Sequence, residues 1–110
     1  MKKEIKQAVA GCIENFPEYT GPFDWFTCMG WKYKEFVFKF NVLNPNTDEY
    51  EKRTIDNKDK WVKAGEDLAL LYYMDKVHFY GWNPMDECTY DADVVSAIAQ
   101  MYWFGEVIYG

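Results

Sequence analysis

The stretch Glu35-Phe36-Val37-Phe38-Lys39-Phe40-Asn41-Val42-Leu43 alternates along its length. Phe36, Phe38, Phe40 and Val42 fall on one side of an extended chain. Glu35, Val37, Lys39 and Asn41 fall on the other, which is the period of two that a half-buried strand requires. Asn44-Pro45-Asn46-Thr47-Asp48 follows, a polar turn with proline where proline is tolerated. Tyr50 to Ile55 alternates again and is predicted to fold back antiparallel. Such a hairpin has one apolar face, and the rest of the chain must cover it.

Working outward, Phe23 to Met29 is short and aromatic-rich and reads as a third strand, broken by Gly30. Before it, Ile5, Ala8, Val9, Cys12, Ile13 and Phe16 repeat at the spacing of one helix face. Pro17 ends that helix, and Thr20-Gly21-Pro22 reads as a turn. After the hairpin, Asp56 or Asn57 is placed to cap a second helix. Its apolar stripe is Trp61, Ala64, Leu68, Leu71 and Tyr72, and it runs at least to Met74. Val77-His78-Phe79-Tyr80 fits either a continuation of this helix or a short fourth strand. Gly81-Trp82-Asn83-Pro84 is a loop. Asp91 or Asp93 caps a third helix from about Ala92 to Phe104. The predicted fold is a single α+β domain over residues 1–110, of order α-β-β-β-α-α, with an antiparallel three-stranded sheet.

The third helix carries apolar residues round its whole axis: Val94, Val95, Ala97, Ile98, Ala99, Met101 and Phe104. A helix of that kind needs cover on every side. Two readings compete: self-association of two copies through this helix, or burial at the centre of one chain.

The chain has 110 residues, of which 49% are apolar and 20% aromatic, enough to build a core. Its formal charge is −6. Residues 1–55 are balanced, and the whole acidic excess falls in residues 56–110. Arg53 is the only arginine. Such a chain repels a polyanion at long range, so a nucleic-acid partner is not expected from net charge. No run is long and apolar enough for a spanning helix. Met1-Lys2-Lys3-Glu4 does not open a signal peptide, and the three cysteines, Cys12, Cys28 and Cys88, lack the pairing and spacing of a disulfide scaffold. A cytoplasmic location is therefore expected.

Few residues point to chemistry. His78 is the only histidine, and no local motif joins it to a cysteine, so no catalytic residue is assigned. His78 and Cys88 are too isolated for zinc. Asp91-Ala92-Asp93 has a D-x-D form, but carboxylates before an apolar helical run are ordinary caps. Asp86, Glu87, Asp91 and Asp93 lack the glycine and spacing of a calcium loop. The glycines form no phosphate-cradling loop, so neither a metal nor a nucleotide cofactor is expected. Lys58, Lys60 and Lys63 open the second helix, in an α-β-β-β-α order shared with double-stranded RNA-binding domains. The glycine-rich loop of those domains is missing, and Asp56 and Asp59 interleave the lysines.

Tyr and Trp, with an apolar body and one wet end, favour protein interfaces. Tyr72-Tyr73 and Phe79-Tyr80-Gly81-Trp82 are the segments expected there. The functional expectation is a small acidic protein-binding module for a basic partner. Asp86, Glu87, Asp91 and Asp93 would supply charge, and Tyr73, Tyr80 and Trp82 would supply aromatic contacts. Inhibitors of nucleic-acid-handling machines carried by phages or mobile elements, and immunity proteins, share this profile. Alternatives are a small enzyme or ligand carrier with an aromatic pocket around Trp25, Trp31 and Trp82, an RNA-binding domain, or a structural subunit of a larger assembly.

Overall fold

Strand β1 (Phe26–Lys32) pairs antiparallel with β2 (Val37–Leu43), and β2 pairs antiparallel with β3 (Tyr50–Ile55), in a computed structural model that describes residues 2–15 and 23–109. The predicted end of the first helix at Phe16 and Pro17, and the turn at Thr20-Gly21-Pro22, lie outside the described residues. Helix α1 (Lys3–Cys12) precedes the sheet; α2 (Lys58–Tyr73) and α3 (Ala92–Phe104) follow it. The element order is the one the sequence predicts, and the domain is α+β.

The hairpin registers as its alternation demands. Phe38 lies opposite Ile55, Phe40 opposite Arg53 and Val42 opposite Glu51. Phe38, Phe40, Val42 and Ile55 are buried, while Lys39, Lys52 and Thr54 face solvent. Two expectations at its start are corrected. Phe36 is not in the strand: its φ is +53°, and it closes the turn that reverses the chain from β1 into β2. That conformation is uncommon for a bulky residue, and the alternating pattern carries no sign of it. Gly30 does not end β1. The strand begins later than predicted and passes through Gly30, where the pairing register slips between Cys28 and Gly30. An extra residue in one strand of a pair is a β-bulge, a common place for glycine.

The helix ends follow local chemistry. The Asn57 side chain accepts the Lys60 N–H at 3.0 Å to start α2. Asp91 Oδ1 accepts the Val94 N–H at 3.1 Å to start α3, and Gly105, at φ +76°, ends it. Helix α2 stops at Tyr73, and Asp75 adopts φ +61° just beyond. Val77 to Tyr80 is therefore neither helix nor strand.

Helix α3 is the centre of the core. Every residue from Val94 to Gln100 is buried within the single chain. Trp103 reaches the sheet, its ring 5.0 Å from Phe40 and its Nε1 donating to the Thr54 carbonyl at 3.0 Å. The Tyr102 hydroxyl lies 3.4 and 3.3 Å from the Asp56 and Asn57 amides, tying α3 to the start of α2. On the other side of α2, Trp61 Nε1 donates to the Val9 carbonyl of α1 at 2.8 Å. The cover that the sequence sought from a second copy is supplied by this chain, so the exposed apolar remainder behind the dimer expectation is absent. Among the described residues, no helix is long and apolar enough to cross a membrane.

Candidate functional site

The segment joining α2 to α3 holds all of the predicted interface residues except Tyr73, the last residue of α2, and Asp93, in the first turn of α3. Between residues 74 and 93 the chain has Asp75, Asp86, Glu87, Asp91 and Asp93 against the single lysine Lys76. The segment has almost no regular structure, so its shape depends on a buried staple. Trp82 is 3% exposed and makes edge contacts with Tyr72 at 5.0 Å, Phe79 at 5.5 Å and Tyr90 at 5.6 Å. The Tyr90 hydroxyl donates to the Pro84 carbonyl at 2.6 Å, and burial pushes that phenol well above its usual range. Trp82 is thus removed from the expected contact set. Its ring is spent on holding the loop, as an aromatic with three ring neighbours and no water access must be.

Local hydrogen bonds fix the remainder. Asp86 Oδ1 accepts the Cys88 N–H at 3.0 Å and starts a one-turn 3₁₀ segment, Glu87–Thr89. Thr89 Oγ1 accepts from the Asn83 N–H at 2.9 Å and lies 2.7 Å from the Asp86 carbonyl. Asp86 and Asp91 are consequently both charged surface groups and structural caps. The Glu87 carboxylate lies over α1, where a Cβ added to Gly11 would collide with it.

What remains exposed is specific. Tyr80 is fully exposed, and Tyr73, Met74 and Met85 are about half exposed. Tyr80 occupies a tight turn closed by the Trp82 N–H on the Phe79 carbonyl at 3.2 Å, with Gly81 at φ +72°. A turn of this form needs a residue tolerant of positive φ at its third position, and glycine is the one that takes it without strain. Tyr80 and Asp93 also border one shallow groove of about 310 Å³ between residues 78–80, α3 and the chain near Tyr109. The structure therefore brings Tyr80 and Asp93 together.

Other candidate sites are placed as follows. His78 Nε2 lies 3.3 Å from Asp75 Oδ1, with both side chains mostly in solvent. A polar contact so exposed contributes little. Cys12 is buried, and burial, aided by the Glu87 carboxylate, pushes its thiol far above the ordinary range. Cys28 is half-buried and shifted up by burial, and Cys88 is exposed. Among the described residues, no three His, Cys, Asp or Glu side chains are grouped to hold a metal. Trp25 stacks on Tyr109 at 5.0 Å, Trp31 touches Tyr33 at 6.3 Å, and Trp82 belongs to the staple. The three rings lie in separate clusters rather than round one pocket. Lys60 sits over the Tyr102 ring at 4.4 Å and Lys63 pairs with Asp67 at 2.5 Å, so two of the three helix-start lysines are engaged within the chain.

Sequence reasoning missed Gln100, which shapes one wall of the groove. A polar residue inside an apolar helix was the available signal. Compared with known protein families, characterised proteins and solved structures, the chain matches none.

Proposed function

We propose that the protein is a small acidic binding module that occupies a basic surface of a protein partner through the segment between α2 and α3. The observation that carries this reading is Tyr80, fully exposed on a turn locked by buried Trp82 and set among surplus carboxylates. A turn whose backbone is fixed before binding saves the cost of ordering it on binding, and exposed aromatic side chains often supply much of the affinity at interfaces. The surrounding carboxylates steer a cationic partner and raise its encounter rate. Occupation of a basic nucleic-acid-handling surface, by simple blocking or by charge mimicry, is the form of action that this chemistry suits, in a reducing compartment that leaves all three thiols free.

The charge test must avoid the caps. Asp86 and Asp91 hold backbone amides, so the reversals are placed on the other carboxylates, Asp75→Lys, Glu87→Lys and Asp93→Lys, with circular dichroism to check that the variant folds. The experiment is affinity purification from the native host with wild type, Tyr80→Ala and this triple variant in parallel. A partner retained by wild type and lost by both variants, with capture weakening as salt rises, is the expected result. Equal capture by all three proteins would refute the reading.

A further inference from the structure

Helix α3 is apolar round most of its axis, yet a line of polar side chains runs along it. Asp93, Ser96 and Gln100 recur at the spacing of one helix face. That face forms a wall of the groove of about 310 Å³ beside residues 78–80. Gln100 is occupied, because its oxygen accepts the Ile108 and Tyr109 N–H groups. Ser96 is not. It is 3% exposed and borders the groove, and among the described residues its hydroxyl has no hydrogen-bond partner. A serine inside a helix ordinarily bonds back to the carbonyl one turn earlier, and a buried hydroxyl left without a bond is costly. Asp93, exposed where the groove begins, has no ion-pair partner among the described residues.

The other walls are aromatic. Phe79 and Tyr109 are half-buried, and each is backed by a tryptophan: Tyr109 stacks on Trp25, and Phe79 meets Trp82 edge-on. Tyr80 also borders the groove and is fully exposed, so its ring is available to whatever enters. His78 borders the groove as well and lies against Asp75. Among the described residues that line the groove there is no lysine or arginine.

We infer that the groove takes an arginine side chain of the protein partner, its guanidinium donating to the Asp93 carboxylate and the Ser96 hydroxyl oxygen while Tyr80 lies on its flat face. The inference deepens the acidic-module reading and rests on it for the source of the arginine. A guanidinium carries five N–H donors and no acceptor, which suits a groove whose unpaired polar groups are a carboxylate and a hydroxyl. It is planar and stacks on aromatic rings, whereas a lysine ammonium is compact, strongly hydrated and has no face to stack. Asp93 repels an anion, and a purely apolar group would leave the Ser96 hydroxyl buried without a bond. At about 310 Å³ the groove lies at the lower limit for small-molecule sites, which is room for one long side chain.

The test is titration of isotope-labelled protein with N-acetyl-arginine amide, followed by backbone amide chemical shifts. Expected are saturable shifts at Tyr80, Asp93, Ser96 and Ala97, with a Kd of about 1–10 mM for so small a ligand. The lysine counterpart should bind several-fold more weakly, and the uncharged citrulline counterpart about tenfold more weakly. Asp93→Asn should cost about tenfold and Ser96→Ala about threefold. Neither removes a hydrogen bond that the fold uses, and circular dichroism confirms that both variants fold. Absence of saturable shifts up to about 50 mM ligand, lysine or citrulline binding equal to arginine, or wild-type affinity in the double variant each overturns the inference. Free protein and free ligand keep this separate from partner capture. No arginine binding, with a partner lost in Tyr80→Ala, rejects the groove and leaves the module standing. Arginine binding, with equal capture by every variant, rejects the module and the partner as the source of the arginine.

Discussion

Gln100 grips Tyr109 by both of its backbone groups. The Gln100 Oε1 accepts the Tyr109 N–H at 2.6 Å, and Nε2 donates to the Tyr109 carbonyl at 3.0 Å. The same oxygen accepts the Ile108 N–H at 2.6 Å. A buried carboxamide on α3 thus acts as a short piece of strand edge, docking the chain after Gly105. Tyr109 is then held at its other end, its ring stacked on Trp25 and its hydroxyl donating to the Leu43 carbonyl at 2.8 Å.

Gln100→Leu should therefore destabilise the protein by about 2–4 kcal/mol, because three hydrogen bonds go and the amides they served lose their partners. Urea denaturation measures the cost, and hydrogen exchange at Ile108 and Tyr109 shows the release. Unchanged protection of both amides in the variant would contradict the clamp.

Gly65 permits the contact between α1 and α2. A Cβ added there would lie 2.3 Å from Cγ1 of Val9, which is fully buried. Gly65→Ala should cost about 1–3 kcal/mol through overpacking despite the better helix propensity of alanine. Val9→Ala, itself destabilising, should recover part of that loss in the double variant. Strict additivity in the double-mutant cycle would show that the helices do not meet at this pair.

Alkaline pH should weaken the fold through Cys12. Burial, then the Glu87 carboxylate, raises its thiol in the folded state. The unfolded thiol ionises near its ordinary value of about 8.5, while the folded one keeps its proton. The stabilisation is complete below that value and is lost as pH rises above it, by at most about 1.4 kcal/mol per pH unit. Tyr90, also raised by burial, adds to the slope from about pH 10. Thermal melts of wild type and Cys12→Ala between pH 7 and 10 should diverge in slope. Parallel curves would mean the thiol is wet.

With α3 covered inside the chain, sedimentation at micromolar concentration should give a single monomeric species. A concentration-dependent shift to a dimer would require a different surface, the acidic segment or the open sheet face.

Part of the candidate site was legible from residue order. Asp91 before an apolar run announced a helix cap, and Gly81 after Tyr80 announced a turn. Tyr80 and Trp82 belong to one aromatic stretch with nothing local to separate them. The structure makes one fully exposed and the other buried. That split depends on Tyr72 and Tyr90, which come to Trp82 from either side of the loop.

The sequence by itself determined the element order, the facing of β2 and β3, and both limits of α3. These rest on periodicity and capping, which act within a few residues. Tertiary structure alone decided the bulge at Gly30, the left-handed Phe36, the central burial of α3 and the role of Gln100. It alone also set the exposed lysines Lys32, Lys39 and Lys52 on the face of the sheet away from the helices. Each of these depends on groups distant in the chain. A lysine's local sequence does not reveal which carboxylates will stand beside it, because neighbours across a sheet are set by register and cover, not by order.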